Sequence, residues 1–566
     1  MVWAQRNVPA LVLMCVLAAC GGRTPGDGGH TDVDGGTDNS DGGSNGGDGG
    51  SNSGDGGSDP SEPSAVIFAP NVLKGTFGSG DPIYLNVRAI LATPLVGDVY
   101  VVVVDPSQVI KPQVFVQTYV ELPDTYFASV LPSATLPAGH YQGAFQVRLC
   151  RDENCSSQHP GSPVSLPYDL QVLQGTNLTP LARWPSVSDW QTFQGNTAHT
   201  GYVPVTLDPS KFSPRWSWRP SGYEIDLSPP VIANGLVYVS DSPSFSSTTT
   251  RKLTALRESD GAMQWQADFG PVHELNPPAV SGGKVFVATT EQDYNTFMWS
   301  FDAATGAQLS KTAFGAQWEH YYAPTIEGGV VYTDCGTGGG MCAFDLATGA
   351  QKWFAAQQQY DEWTPAVDQN YAYSYIGGVL SALVKSTGEV AFTITDPKWE
   401  WDTYSMYGSP VLGANGAVLA VSSGSIFHDN HLMSFNTPAR SMNWSVPGRY
   451  GGNPVLAKGI VYAATILPDT EQPRLEARRE STGGLLWSWT LPLGEDSARY
   501  GQQGAYVDLL VTDNLLFVGT QLHVYALDLA THAPVWTYWR GGNMAISANG
   551  VLYIDSGGTV GAVNLK

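Results

Sequence analysis

From Val66 onward the chain alternates short runs of β-branched and aromatic residues with clusters of Gly, Pro, Asp and Asn. Ile83–Leu91, Val99–Asp105, Val114–Leu122, Thr125–Leu131, Tyr141–Cys150 and Tyr168–Leu173 are such runs. Short strands punctuated this often predict a β-sandwich over residues 65–174. After a lead-in at 175–205 the pattern becomes periodic. SPPVIANGLVYV…KLTALRESDGAMQW (Ser228–Trp265) is followed by NPPAVSGGKVFV…MWSFDAATGAQL (Asn276–Leu309) and APTIEGGVVYT…MCAFDLATGAQKW (Ala323–Trp353). Further units cover Thr364–Phe392, Ser409–Trp444, Asn453–Trp487 and Leu509–Trp536. Pro230, Pro278, Pro324, Pro365, Pro410 and Pro454 open units 41 to 48 residues apart. Each unit supplies four short strands, and Thr-Gly or Asp-Gly pairs make the tight turn before the fourth. Four strands in roughly 40–50 residues make a propeller blade.

The last stretch, Met544–Lys566, offers only three strands. The run FSPRWSW (Phe212–Trp218) supplies a fourth, and pairing the two closes the ring without a long free edge. The fold class expected is all-β: an eight-bladed β-propeller over 206–566, preceded by the sandwich and, before it, a disordered tether. LPAGHYQGAFQVRLCRDENC and SPVSLPYDLQV resemble the end of an immunoglobulin-like domain of bacterial surface proteins. That resemblance implies a spacer or adhesive module with a disulfide-stapled hairpin.

The N-terminal end reads differently. Arg6 precedes a ten-residue apolar run, Ala10–Ala19. That is too short for a membrane-spanning helix, which needs about 20 residues, and it fits a signal peptide over residues 1–19. Leu17-Ala18-Ala19-Cys20 resembles the lipobox of bacterial lipoproteins, which implies acylation of Cys20 and cleavage before it. Residues 20–64 form a Gly/Asp/Ser tether, with Asp-Gly-Gly starting at Asp27, Asp34, Asp41, Asp48 and Asp55. Glycine-rich sequence with one sign of charge has no apolar area to offset chain entropy. Asp32–Asp38 has some letters of a calcium loop, but Gly43 stands where the bidentate Glu belongs. Gly21 and Gly22 lack the acidic residue that retains lipoproteins in the inner membrane of enteric bacteria. The outer membrane is the expected site, with the periplasmic or exterior side open.

The 566 residues carry a formal charge of −23. From residue 65 there are 42 acids against 26 bases. A net −16 argues against nucleic acid, whose binding depends on neutralising phosphates, and against electrostatic docking on anionic lipid. Four cysteines lie in the folded part as two local pairs, Cys150/Cys155 and Cys335/Cys342. In an exported chain such pairs predict disulfides.

The repeats, with the lead-in DWQTFQGNTAHTGYVP (Asp189–Pro204), resemble the pyrroloquinoline-quinone-type propeller repeat. That family has two branches. Quinoprotein alcohol dehydrogenases bind the quinone and calcium, and stack two adjacent cysteines on it. Non-enzymatic propellers include the lipoprotein of the outer-membrane β-barrel assembly machinery. Here GTGGGM separates Cys335 from Cys342, and no residue can be matched to the cofactor. A metal shared by His428 and His431 competes with a solvated loop. The expectation is a non-enzymatic envelope lipoprotein that binds a protein or glycan, without cofactor or metal. A quinone- and calcium-dependent oxidoreductase is the alternative.

In this architecture the connectors between blades emerge on one face, around the central channel. They carry Tyr223, Glu224 and Asp226; His273 and Glu274; Trp318, Glu319 and His320; Tyr360, Asp361 and Trp363; Trp399, Trp401 and Asp402; Arg449 and Tyr450; and Arg499 and Tyr500. Converging, these rings and carboxylates would stack flat apolar faces and accept hydrogen bonds. Alternatively, the rings pack between blades and the acids are solvated.

Overall fold

In the computed structural model the described residues are 66–566, apart from 82, 94, 120–121, 221–225, 242–249, 291–295, 317–321, 359–361, 401–407, 423–428, 468–471 and 493–507. The expected signal peptide and tether lie outside them. Among the described residues, the helices are three short 3-10 turns, and strands carry the fold.

Eight strands come first: β1 (Val66–Ala69), β2 (Leu73–Gly78), β3 (Leu85–Leu91), β4 (Tyr100–Val104), β5 (Ile110–Tyr119), β6 (Leu122–Pro132), β7 (Gly139–Cys150) and β8 (Val164–Leu173). One sheet has the order β1-β3-β6-β5, and β2-β8-β7-β4 run together in another. β8 shows why they face each other. Val164, Leu166, Tyr168, Leu170 and Val172 are buried, and the residues between them are not. A period of two puts all five on one side of the strand. There they share an apolar core with Val66, Phe68, Leu85 and Val87. The sequence pattern predicts neither β1 nor β2, which are too short to show a period. Cys150 and Cys155 form a disulfide at the end of β7, with a Cα–Cα distance of 4.9 Å.

Eight antiparallel repeat sheets follow. The first consists of Val231–Ala233, Leu236–Ser240, Thr250–Arg257 and Met263–Pro271, paired in that order. Sheets two to seven span residues 274–313, 325–356, 366–395, 411–448, 450–490 and 508–538. The eighth takes Asn543–Ile546, Val551–Ser556 and Thr559–Asn564 from the C-terminal end and β9 (Ser213–Trp218) from far upstream. Trp218 lies opposite Val560, and Trp216 opposite Ala562. Since neighbouring strands alternate in direction, the sheet-to-sheet connectors and second-to-third turns share one face, here the connector face. The Thr-Gly turns and the first turns lie on the other.

On the Thr-Gly face one contact recurs between sheets. Trp265 in the fourth strand of sheet one lies on Gly306 of sheet two, and its Nε1 donates to Ala303 O at 2.9 Å. Trp353 covers Gly388 and donates to Lys385 O at 2.9 Å. Trp444 covers Gly483 and donates to Glu480 O at 2.7 Å. Trp216 of β9 covers Gly261 of sheet one and donates to Glu258 O at 3.0 Å. The seam between the eighth and first sheets is therefore made like the others. Only glycine fits here, for two reasons. The four glycines have φ of 69° to 76°, and a Cβ would lie 2.6–2.7 Å from the indole. Elsewhere other pairs stand in: Trp487 stacks on His532 with centroids 4.5 Å apart, and Arg440 lies over Phe392 at 4.3 Å.

The sandwich is not a free spacer. β2 adds in parallel to the outer strand of sheet seven, Pro534–Tyr538, with Thr76 opposite Tyr538. The next residue, Trp539, is buried in the sandwich core. Its backbone N–H donates to Thr76 O at 2.7 Å and its Nε1 to Tyr84 O at 2.9 Å.

Two glycines separate packing from backbone strain. Gly235 has φ +79° and nothing within 4 Å of a built Cβ, whereas Gly388 has φ +76° and Trp353 at 2.6 Å. Gly235→Ala is expected to cost about 1–2 kcal/mol, the left-handed penalty alone. Gly388→Ala is expected to cost about 1–3 kcal/mol more, because it overpacks the seam. Denaturant unfolding measures both, and equal costs would contradict the clasp.

Candidate functional site: a channel plugged from one face

The first strand of each sheet has one edge facing the axis, and its N–H and C=O groups there need partners. The lead-in supplies them. Ile232 N–H donates to Trp190 O at 2.6 Å, and Val280 N–H to Gln191 O at 2.9 Å. Val367 donates to Thr197 O at 2.7 Å, and Leu412 to Ala198 O at 2.9 Å. Leu456 donates to Thr200 O at 2.8 Å, and Val511 to Gly201 O at 2.9 Å. The first five of these donors stand two residues after Pro230, Pro278, Pro365, Pro410 and Pro454. Sheet three is reached by side chains, as Thr192 Oγ1 donates to Pro324 O at 2.5 Å. Sheet eight is reached earlier, where Trp184 N–H donates to Ala548 O at 2.8 Å.

The segment enters and leaves on the Thr-Gly face. Asp189 Oδ2 accepts from Asn234 N–H in the first turn of sheet one. Asp513 N–H, in the matching turn of sheet seven, donates to Val205 O at 2.9 Å. The tip between, Phe193 to His199, reaches the residues that open the first strands of sheets three to six.

His199 pins the tip and is fully buried. Ser409 Oγ donates to Thr364 O, so toward His199 it accepts. Nδ1 lies 3.0 Å from Ser409 Oγ and 3.2 Å from Pro410 O, and therefore carries the proton. Nε2 accepts from Thr325 Oγ1 at 2.8 Å. Burial pushes the imidazole pKa down to about 3, so it is neutral at physiological pH. Beside it Phe193 stacks on Tyr322 from the connector into sheet three, with centroids 4.5 Å apart and planes 10° apart. Both rings are half-buried.

Of the connector residues singled out from sequence, Tyr223, Glu224, Trp318, Glu319, His320, Tyr360, Asp361, Trp401, Asp402, Arg499 and Tyr500 lie outside the described residues, as does His428. Three others are built into the sheets. Trp363 is 1% exposed and packs in a core shared by sheets three, four and five. Tyr450 is equally buried, and its hydroxyl donates to Glu476 Oε2 at 2.8 Å. Arg474 and Arg478 pair with the same carboxylate. Glu274 is fully buried, with His273 Nδ1 3.1 Å from its Oε1. Trp399 is half-buried against Gly378. Arg449 is half-buried, and its N–H donates to Thr465 Oγ1 at 3.3 Å. Asp226 is exposed.

Sequence reading missed Phe193 and three carboxylates at the connector-face ends of the strands: Asp241 in sheet one, Asp508 in sheet seven and Asp555 in sheet eight. Burial raises the pKa of Asp241 to about 6, although its carboxylate accepts Lys252 N–H at 2.9 Å. Burial likewise raises Asp508 to about 7, against a hydrogen bond from Met544 N–H at 2.7 Å.

A family described as outer membrane protein assembly factor BamB matches residues 206–358, 249–488 and 358–566. No curated protein matches. Among solved structures, BamB from Moraxella catarrhalis is 17% identical over 62% of this chain and 99% of its own, with a TM-score of 0.47. Quinohemoprotein alcohol dehydrogenase ADHIIG from Pseudomonas putida HK5 is 13% identical over 67% and 80%, with a TM-score of 0.50. The quinohemoprotein alcohol dehydrogenase from Comamonas testosteroni is 15% identical over 68% and 81%, with a TM-score of 0.49. At these identities the likeness is one of fold.

Asp241 gives a pH test. Its folded pKa is raised from 3.8 to about 6. The native state therefore binds a proton that the unfolded chain does not, and stability from this group is lost as pH rises through 6. Asp241→Asn keeps the acceptor for Lys252 N–H and removes the titration. The variant should gain in melting temperature over the parent between pH 4 and pH 8, as thermal unfolding across that range would show. A constant difference would contradict a buried, raised carboxyl.

Proposed function

This chain belongs to the family described as outer membrane protein assembly factor BamB, and on that premise we propose that it is a non-enzymatic binding or scaffold lipoprotein of the cell envelope. In this reading the eight repeat sheets are the blades of one closed ring, and the sandwich is immunoglobulin-like. Cys20 carries lipid, residues 20–64 are the tether, and the outer membrane is the anchoring surface. A protein or glycan partner docks on the connector face.

The observation that carries this reading is the half-buried Phe193–Tyr322 stack at the tip of the chain's own lead-in. Half-buried aromatic rings offer an apolar face to a sugar ring or a peptide side chain. The alternative, a quinone-dependent oxidoreductase, fits the described residues less well. Cys335 and Cys342 are bridged across a hairpin of sheet three with Cα atoms 5.8 Å apart, and are not neighbours in the chain.

In-cell cross-linking of the full chain, followed by identification of the captured species, tests the reading. Phe193→Ala and Tyr322→Ala should each weaken capture about tenfold, as expected for losing a stacking contact near 1.4 kcal/mol, and the circular dichroism should not change. Undiminished capture would remove the platform. Stoichiometric quinone and calcium binding with dye reduction would replace the reading by the oxidoreductase, and an unmodified thiol at Cys20 would remove the anchor.

A further inference from the structure

The two outer faces of the sandwich differ. Sheet β2-β8-β7-β4 turns polar side chains outward, where Asp169 meets His140, Gln142 and Lys74. That is the ordinary alternation of a sheet with one solvated side. Sheet β1-β3-β6-β5 breaks it. Ile67 lies opposite Ile90, Arg88 opposite Phe127, and Phe115 opposite Ser129. Their chain neighbours Phe68, Val87 and Ala128 pack in the core, so these rows face outward. Ile67 is 55% exposed and Phe115 44%. Tyr84, one residue before β3, is 43% exposed, and its ring meets Phe115 edge to face with centroids 6.4 Å apart. Val96, in the connection that leaves β3 past Ile90, is 91% exposed.

Position and charge say what covers this face. Residues 20–64 end three residues before Ile67, and β1 is the strand they enter. In the lipid-anchor reading they tie this end of the sandwich to a bilayer. An anchored chain meets that bilayer at high effective concentration, so a few apolar side chains suffice for contact. From residue 65 the chain has 42 acids against 26 bases. Yet none of the residues that the strand pairings place on this face is Asp or Glu. No carboxylate is therefore taken out of water when the face is covered. Arg88 is half-buried, and a side chain of its kind lays its stem on apolar surface while its head stays among polar groups. Tyr84 brings the apolar body and polar tip that suit the same boundary. The net negative charge turns away anionic lipid, which leaves a zwitterionic surface. The propeller is joined to the other sheet, through β2.

We propose that the outward side of sheet β1-β3-β6-β5 is a docking surface for a zwitterionic lipid bilayer, which it meets through Ile67, Ile90, Phe115 and Tyr84. The proposal rests on the lipid-anchor reading for where the bilayer lies. Docking lays the sandwich against the membrane. Because β2 and Trp539 join the sandwich to sheet seven, it also sets how the propeller stands relative to that membrane.

Flotation with phosphatidylcholine vesicles tests the surface apart from the anchor, using the mature chain, residues 20–566, with Cys20→Ser so that no acyl group is attached there. This chain should float with the vesicles. Ile67→Asp combined with Phe115→Asp should lower its partition coefficient about tenfold or more, with unchanged circular dichroism. Were that variant to misfold, Ile67→Ser with Phe115→Ser should still lower it about threefold. Ser165→Asp with Gln171→Asp, the same charge placed on the polar face, should leave flotation as it was. No flotation of the Cys20→Ser chain, or an equal loss from the two faces, would overturn the surface and leave the anchor reading standing. Intact flotation with an unmodified thiol at Cys20 in the mature protein would remove the anchor and keep the surface. A dimer that forms without lipid and is dissolved by the Ile67 and Phe115 substitutions would give the face to a second copy of the chain and overturn the proposal.

Discussion

The inner edge of every repeat sheet faces an axis where no further strand can pair, and an unpaired buried N–H costs about 1–3 kcal/mol. The chain resolves this with its own lead-in. Carbonyls of Trp190, Gln191, Thr197, Ala198, Thr200 and Gly201 take the six N–H groups that six different sheets present. A single twelve-residue segment thus depends on sheets far apart in sequence, and they depend on it. The neutral His199 fits the same logic, because a charged imidazole would have no counter-ion among Ser409, Pro410 and Thr325.

From this plug the rest follows. It enters and leaves at the Thr-Gly mouth, and Phe193 of its tip stacks on Tyr322 of a connector. The outer edges are secured separately. Trp216, Trp265, Trp353 and Trp444 each clasp a turn of the next sheet, and β9 brings one of these tryptophans to the seam where the last sheet meets the first. At sheet seven the outer edge is extended by β2, and Trp539 crosses into the sandwich core. The sandwich also meets sheet eight, where Asp81 accepts from Ser217 Oγ at 3.2 Å.

Much of this was legible from residue order because it repeats. The prolines, the Thr-Gly turns and the outer tryptophans recur at one period, and the missing fourth strand of Met544–Lys566 pointed back to Phe212–Trp218. What does not repeat was hidden. The junction of β2 with sheet seven rests on one paired position, Thr76 with Tyr538, and leaves no pattern to read. Connector aromatics are ambiguous in sequence, since a ring suits a seam as well as a mouth. Trp363 and Tyr450 prove to be seam residues, while Phe193 sits in a segment with no strand period at all. Its signal was indirect: five sheet-opening prolines, each followed two residues later by an N–H with no partner in its own sheet.

Amide hydrogen exchange on the full chain tests the central claim most directly. If the lead-in is the common partner of the inner strands, the N–H groups of Ile232, Val280, Val367, Leu412, Leu456 and Val511 should exchange together, at the slow rate of global unfolding. Fast exchange at these positions, or six unrelated rates, would mean that the channel is not plugged by its own chain.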